Sequence, residues 1–264
     1  MIDQFTLKLI LSFIVGGGYA IAATVAADKF GSKIGGLIGG LPSTVLFGLL
    51  FIAWTQNPQA AVDATTLIPA VIGIACFFLI AFVLSLKKGI WFALFMAYLV
   101  WFVCTIPLLV YPNVSFLISN LIFCLCFIIT YVFVTNIYKL KSVKGNKIAY
   151  TPQLLLFRGF LTGFVVAVSV LLAKIGGPLV GGVFTTFPTL FPSILLLAYF
   201  SHGSAFSLGV AKGSLFGWVS TTIFVIMARY TFVPFGILGG TVISLALSYI
   251  CAYLIYTFVQ TKHS

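Results

Sequence analysis

Lys174-Ile175-Gly176-Gly177-Pro178-Leu179-Val180-Gly181-Gly182, running on to Phe187-Pro188-Thr189, nearly repeats Lys33-Ile34-Gly35-Gly36-Leu37-Ile38-Gly39-Gly40-Leu41-Pro42-Ser43-Thr44. Each copy opens an apolar segment. A duplicated apolar segment interrupted by Gly and Pro is a sequence-level pointer to the binding region of a transporter. Outward from the copies the likeness continues. Trp54-Thr55-Gln56-Asn57-Pro58-Gln59-Ala60 follows the first, and Tyr199-Phe200-Ser201-His202-Gly203-Ser204-Ala205 the second. Both strings read as an aromatic, a short polar turn, then small residues entering the next apolar run. Matching positions lie 141 to 146 residues apart.

The chain around the repeat is 62% hydrophobic and 6% charged over 264 residues. Soluble domains carry about 25% charged residues, so this chain has too little polar surface for water and is expected to be solvated by lipid. At about 20 apolar residues per crossing, nine spans are predicted, over approximately 5–27, 34–54, 65–86, 89–111, 114–138, 154–173, 176–200, 206–228 and 232–259. Charge or turn chemistry marks most breaks: Asp28 to Lys33, Thr55 to Gln59, Lys87-Lys88-Gly89 and Tyr111-Pro112-Asn113. Proline restricts the residue before it and cannot continue a helix. The second and seventh spans carry enough Gly and Pro to be broken or re-entrant. Met1-Ile2-Asp3-Gln4 lacks a basic start, and the run from Phe5 to Ala27 exceeds a signal-peptide core, so the first run reads as a membrane helix.

The expected fold class is therefore all-α, a polytopic transmembrane bundle of about nine spans. Residues 1–111 form a first four-helix repeat and 154–264 a second, with a linking helix and a basic loop over 112–153. Because the copies start five spans apart, they face opposite sides of the membrane. Inverted repeats of this kind are a mark of secondary carriers, with substrate near the midplane where the repeats meet.

Charge sets the expected orientation. Lys29, Lys33, Lys87, Lys88, Lys139, Lys141, Lys144, Lys147, Arg158, Lys212 and Lys262 fall on one side, and only Lys8, Lys174 and Arg229 on the other. The positive-inside rule then places the C-terminus and the 139–152 loop in the cytoplasm and the N-terminus outside, in what reads as a bacterial cytoplasmic membrane. A net charge of +11 on a soluble chain would suggest nucleic acid. Here the cations punctuate apolar runs, and no nucleic-acid partner is expected.

The short pattern Lys-Ile-Gly-Gly, a Gly pair, Leu41-Pro42-Ser43 or Phe187-Pro188-Thr189, then His202-Gly203 and Ala211-Lys212-Gly213, resembles the GlpM-like group of small four-helix bacterial membrane proteins. Such a unit occurs twice here, apart from 112–153. The first copy departs from the pattern, with Asn57-Pro58 where the second has His202-Gly203. The resemblance implies membrane location.

The candidate substrate-binding residues are Gly39, Gly40, Pro42, Ser43, Thr44, Gly181, Gly182, Thr185, Thr186, Pro188 and Lys212. The prolines remove donors and free carbonyls, and the hydroxyls beside them suit a polar solute. Lys212 is a charge inside an apolar run, where charge is costly. Each has a structural competitor. Glycines four apart also let helices approach closely, which equally suits a homo-oligomer interface. Hydroxyls also bond back to their own helix, and a Lys near a span end snorkels. The five cysteines fall in apolar runs without metal-ligand spacing and read as small buried hydrophobes. Asp3, Asp28 and Asp63 lie near span ends and Glu is absent, so paired groups for acid–base catalysis or for proton-coupled export of cations are missing. No enzyme activity and no cofactor are expected. The leading expectation is a carrier of a small neutral or anionic solute, with the lipid bilayer and that solute as partners. The alternative is a non-transporting protein that supports envelope or polymer biogenesis through helix–helix association.

Overall fold

A computed structural model describes residues 3–29, 42–111, 113–140 and 151–261. Among them every regular element is a helix. In chain order these are α1 (Gln4–Lys29), α2 (Ser43–Thr55), α3 (Pro58–Ala64), α4 (Ile68–Ser85), α5 (Ile90–Val110), α6 (Phe116–Val132), α7 (Pro152–Gly176), α8 (Pro178–Thr185), α9 (Leu190–Thr231) and α10 (Gly236–Thr261). Six helical stretches are long and apolar enough to cross a membrane: Gln4–Val25, Pro58–Lys88, Ile90–Val110, Phe116–Ile137, Pro152–Gly176 and Pro178–Thr231. They are compatible with an integral membrane protein. Ser43–Thr55 and Gly236–Cys251 are shorter apolar helices.

Local chemistry sets the starts. The Asn57 side chain accepts from the Ala60 amide at 2.8 Å, with Pro58 at the first helical position of α3. Ser115 and Thr151 cap α6 and α7 in the same way, each at 3.3 Å. These caps satisfy amides that have no intrahelical partner. Gly89 and Gly236 stand immediately before or at the start of α5 and α10 with φ of 107° and 70°, a backbone that L side chains avoid.

The seventh predicted span, 176–200, is not one continuous helix. α8 ends at Thr185, the chain turns through 186–189, and α9 resumes at Leu190. Pro188 explains the stop, since it has no amide to donate and restricts the residue before it. The next break is at Gly203 (φ 82°, ψ −178°) inside α9. There Ser207 Oγ donates to the Leu195 carbonyl at 2.9 Å, so the two limbs of α9 fold back on each other. Past α6 the ladder widens into one π turn, Phe133–Ile137.

The chain divides into two compact units, each assembled from discontinuous segments. The first holds Met1–Thr66, Ala149–Phe187 and Phe216–Ser264, and its most extensive packing joins α1 to α7. These two helices run antiparallel: Phe5 meets Lys174, Phe13 meets Phe160 and Gly163, and Ile21 meets Gly159. The crossing is built on glycines. A Cβ on Gly17 would stand 2.6 Å from the Gly159 carbonyl oxygen, and one on Gly163 would clash with the Phe13 carbonyl. Small residues let helix backbones approach where lipid offers no hydrophobic drive between helices. The C-terminal part of α9 is joined to α10 by hydroxyls: Ser220 and Ser248 pair at 2.8 Å and Thr231 and Ser244 at 2.9 Å. Interhelical bonds of this type contribute roughly 0.6 kcal/mol each in a membrane.

The second unit holds Leu67–Ile148 and Pro188–Leu215. α4 packs against both α5 and α6. In the most apolar 18-residue window of the Pro58–Lys88 stretch 72% of residues are buried, against 28% in the corresponding windows of α5 and of Phe116–Ile137. A helix apolar all round and buried belongs to a core; the other two present wide apolar faces outward. Gly73 lets α4 approach α6, where a Cβ would meet Phe123 Cα at 3.0 Å. Ser119 Oγ accepts from the Ala70 amide at 2.9 Å, satisfying a donor at the start of α4.

Candidate functional site

α8 has eight residues and is therefore about 12 Å long at 1.5 Å per residue. It starts beside the end of α7, where Lys174 sits over Phe5 at the start of α1. α8 then runs inward along its neighbours. Gly181 faces Ser169 and Ala173 of α7, its Cβ position 2.6 Å from the Ser169 carbonyl oxygen. Gly182 faces the Ala64 carbonyl of α3, and the Thr185 methyl rests on Gly48 of α2. Gly48 lies about 9 Å along α2 from Trp54, and Trp54 accepts a bond from Lys8 at the same end of the unit. Both routes place the end of α8 about 9–12 Å from the end of the unit that Lys8, Trp54 and Lys174 share.

The candidate residues divide between the two units. Pro42, Ser43, Thr44, Gly181, Gly182, Thr185 and Thr186 belong to the first. Pro42 and Ser43 are buried at the start of α2, with Thr44 half-buried. Thr185 Oγ1 donates to the Gly182 carbonyl and Thr186 Oγ1 to that of Val183, both at 2.6 Å. Back-bonding of this kind uses the proton and leaves the oxygen lone pairs to accept. Ser193 does the same toward Leu190 at 2.7 Å. Gly181 and Gly182 are buried packing contacts. Gly39 and Gly40, with Lys33, Gly35 and Gly36, lie outside the described residues.

Pro188 and Lys212 belong to the second unit. The carbonyl of Pro188, at the break before α9, accepts from the Tyr98 hydroxyl at 2.6 Å. Tyr98 is held edge-on against Phe78, which also meets Phe191. Lys212 donates to the Leu140 carbonyl at 2.8 Å, beyond the π turn that ends α6. It therefore anchors the end of α6 to α9. His202 is exposed, with its ring against Phe206.

Two groups gain weight that the sequence did not give them. Arg229 Nη1 donates to the Val62 carbonyl and to the hydroxyls of Thr65 and Thr66, at 3.0, 3.0 and 3.2 Å. In the sequence Arg229 reads only as a topology charge. Tyr98 carried no signal at all, because its acceptor lies 90 residues away. Among the cysteines, Cys76 and Cys126 are buried and Cys104 and Cys251 intermediate, but Cys124 is exposed. Cys124 and Cys126 point to different faces, as residues two apart on a helix do. Cys124 therefore lies on the outward apolar face of α6 and is not a buried hydrophobe. Among the described residues no group of His, Cys, Asp or Glu could hold a metal.

A family model described as a protein of unknown function (DUF3147) matches residues 9–120 and 155–261. The chain belongs to that family. Two matched segments are consistent with a duplicated DUF3147 unit, and they bracket the two copies of the Lys-Ile-Gly-Gly motif. No curated protein and no solved structure matches the chain.

Proposed function

We propose that this DUF3147 chain is a membrane carrier for a small neutral or anionic solute, built from nine spans in two inverted repeats. One observation carries the reading. α8 is a half-length helix whose end, Thr185, meets Gly48 of α2, and the chain unwinds there before α9; with Trp54 and Lys174 taken to mark the membrane surface, that end lies inside the apolar layer in this reading. Broken helices at membrane depth are tolerated only where protein or a wet cavity covers them, and in carriers they form the substrate site. α2 is itself only 13 residues, about 20 Å, so its N-terminal end at Ser43 also falls inside the layer. The positive pole of a helix start favours an anionic or electron-rich group. Ser43, Thr44, Thr185 and Thr186 supply the polar lining in this reading.

The antiparallel crossing of α1 and α7 supports inversion. These are the first helices of the two repeats, and a two-fold axis in the membrane plane relates equivalent helices in this way. Two similar halves in opposite orientations can exchange conformations at little energetic cost, which is the basis of alternating access. The chain then sits in a bacterial cytoplasmic membrane with its N-terminus outside and C-terminus inside, as its lysines suggest. The GlpM-like likeness agrees with that location.

The competing role in helix–helix association draws on Gly181 and Gly182, whose contacts with Ser169 and Ala64 are as close as backbones allow. One experiment separates the two. Thr186→Cys, in a chain whose five native cysteines are replaced by alanine, is treated with a membrane-impermeant maleimide in right-side-out and in inverted vesicles. A carrier is labelled from both sides; labelling from one side or from neither overturns the carrier reading.

A further inference from the structure

Two of the three cations on the sparsely charged side of the predicted topology, 166 residues apart in sequence, come to the same end of the first unit. The antiparallel crossing of α1 and α7 brings Lys174 to the start of α1, where its Nζ sits 3.6 Å from the centre of the Phe5 ring. One turn further along α1, Lys8 Nζ donates to the Trp54 carbonyl at 2.8 Å and lies 5.1 Å from the centre of the Trp54 ring. Both ammonium groups are thus held against aromatic faces, and neither forms an ion pair with a carboxylate among the described residues. The nearest acid in sequence, Asp3, uses an oxygen to cap the Phe5 amide at 3.1 Å.

An ammonium on a ring face keeps its remaining N–H donors directed away from the ring, because the ring attracts the cation as a whole. Lys174 is exposed and Lys8 half-buried, so donors of both remain open to a ligand. Beside them stand the exposed side chains of Ile175, at 71%, and Trp54, at 43%. Two fixed cations beside exposed apolar side chains match a molecule that carries both a phosphate and a hydrocarbon tail. Charge-assisted bonds from two ammonium groups to phosphate oxygens are roughly twice as strong as neutral ones.

We infer that Lys8 and Lys174 form a phosphate-binding site at the N-terminal end of α1. The site stands apart from the carrier reading, since it needs only the observed packing of α1, α2 and α7. Its phosphate can belong to an anionic lipid headgroup or to a free phosphate ion, and the test distinguishes them. The full chain is reconstituted in nanodiscs of phosphatidylcholine alone, and of phosphatidylcholine with one-fifth phosphatidylglycerol. Retained lipid is counted by native mass spectrometry, and inorganic phosphate is titrated against melting temperature in the phosphatidylcholine discs. Lys8→Gln/Lys174→Gln keeps a donor at both positions, on a side chain one atom shorter, while removing both charges.

For a lipid site, phosphatidylglycerol retention falls about tenfold in the double variant, equivalent to about 1.4 kcal/mol, with phosphatidylcholine retention unchanged. For a free-ion site, inorganic phosphate raises the melting temperature of the parent chain and the double variant loses that rise. Asp3→Asn, which removes the neighbouring negative charge, strengthens whichever response is seen. Equal phosphatidylglycerol retention in parent and double variant, together with no response to inorganic phosphate, overturns the site. Should the double variant fail to fold, Lys174→Gln alone replaces it, because Lys174 makes no hydrogen bond that closes a helix end.

Discussion

Gly17→Ala, compared with its neighbour Gly18→Ala, tests the crossing that the proposed inverted arrangement draws on. A Cβ at position 17 would lie 2.6 Å from the Gly159 carbonyl oxygen, while one at 18 meets nothing within 4 Å. Ordinary contact begins near 3.4 Å, so α1 and α7 must separate by about 0.8 Å to accept the methyl. The obstacle is backbone inside a helix and cannot swing aside. A gap of 0.5–1 Å forfeits about a quarter to a half of each dispersion contact along the seam, and overpacking of this kind costs roughly 1–3 kcal/mol. Both substitutions receive the same gain in helix propensity, about 1 kcal/mol, so it cancels in the comparison. Gly17→Ala should therefore be less stable than Gly18→Ala by about 1–3 kcal/mol, read as the difference in unfolding midpoint on titrating SDS into mixed micelles. Equal midpoints would refute the close antiparallel crossing of α1 and α7.

Tyr98→Phe removes the donor to the Pro188 carbonyl and should cost about 1–3 kcal/mol; an unchanged SDS midpoint would show that this bond does not hold the break before α9. Gly203→Ala forces a side chain into φ 82°, ψ −178°, a region essentially reserved for glycine, at about 1–3 kcal/mol. The open space around Gly203 makes this loss purely conformational, so Gly213→Ala, equally uncrowded but helical, should show none of it. Arg229→Gln breaks the clamp on Val62, Thr65 and Thr66 and should speed proteolysis between α3 and α4; equal cleavage rates would count against the clamp. Reporter fusions after residues 54 and 145 should read outside and cytoplasm, and the same side for both would end the inverted topology.

The positions of the helices were readable because they depend on local properties. The runs predicted at 89–111, 114–138 and 154–173 coincide closely with α5, with α6 and its π turn, and with α7. Apolar length, a capping Asn57, Ser115 or Thr151, and Pro or Gly at a boundary act within a few residues of where they stand. The doubt about the 176–200 segment was readable too, since Pro188 announces a break. The site was readable only as a set of candidates. Whether the hydroxyl of Thr185 turns to its own helix, and whether Gly182 faces a ligand or the Ala64 carbonyl, depends on the neighbour that tertiary packing supplies.

The same division holds for the Lys-Ile-Gly-Gly echo. By itself the sequence determined that the chain is apolar, helical and duplicated, because composition and repetition are properties of the string. Only the tertiary structure decided that α8 stops against Gly48, that Tyr98 covers the Pro188 carbonyl, and that Lys8 and Lys174 share one end of α1 with Phe5 and Trp54. Such pairings join residues tens to more than a hundred positions apart. Their geometry comes from which small residues allow two backbones to approach, and no local pattern encodes the partner.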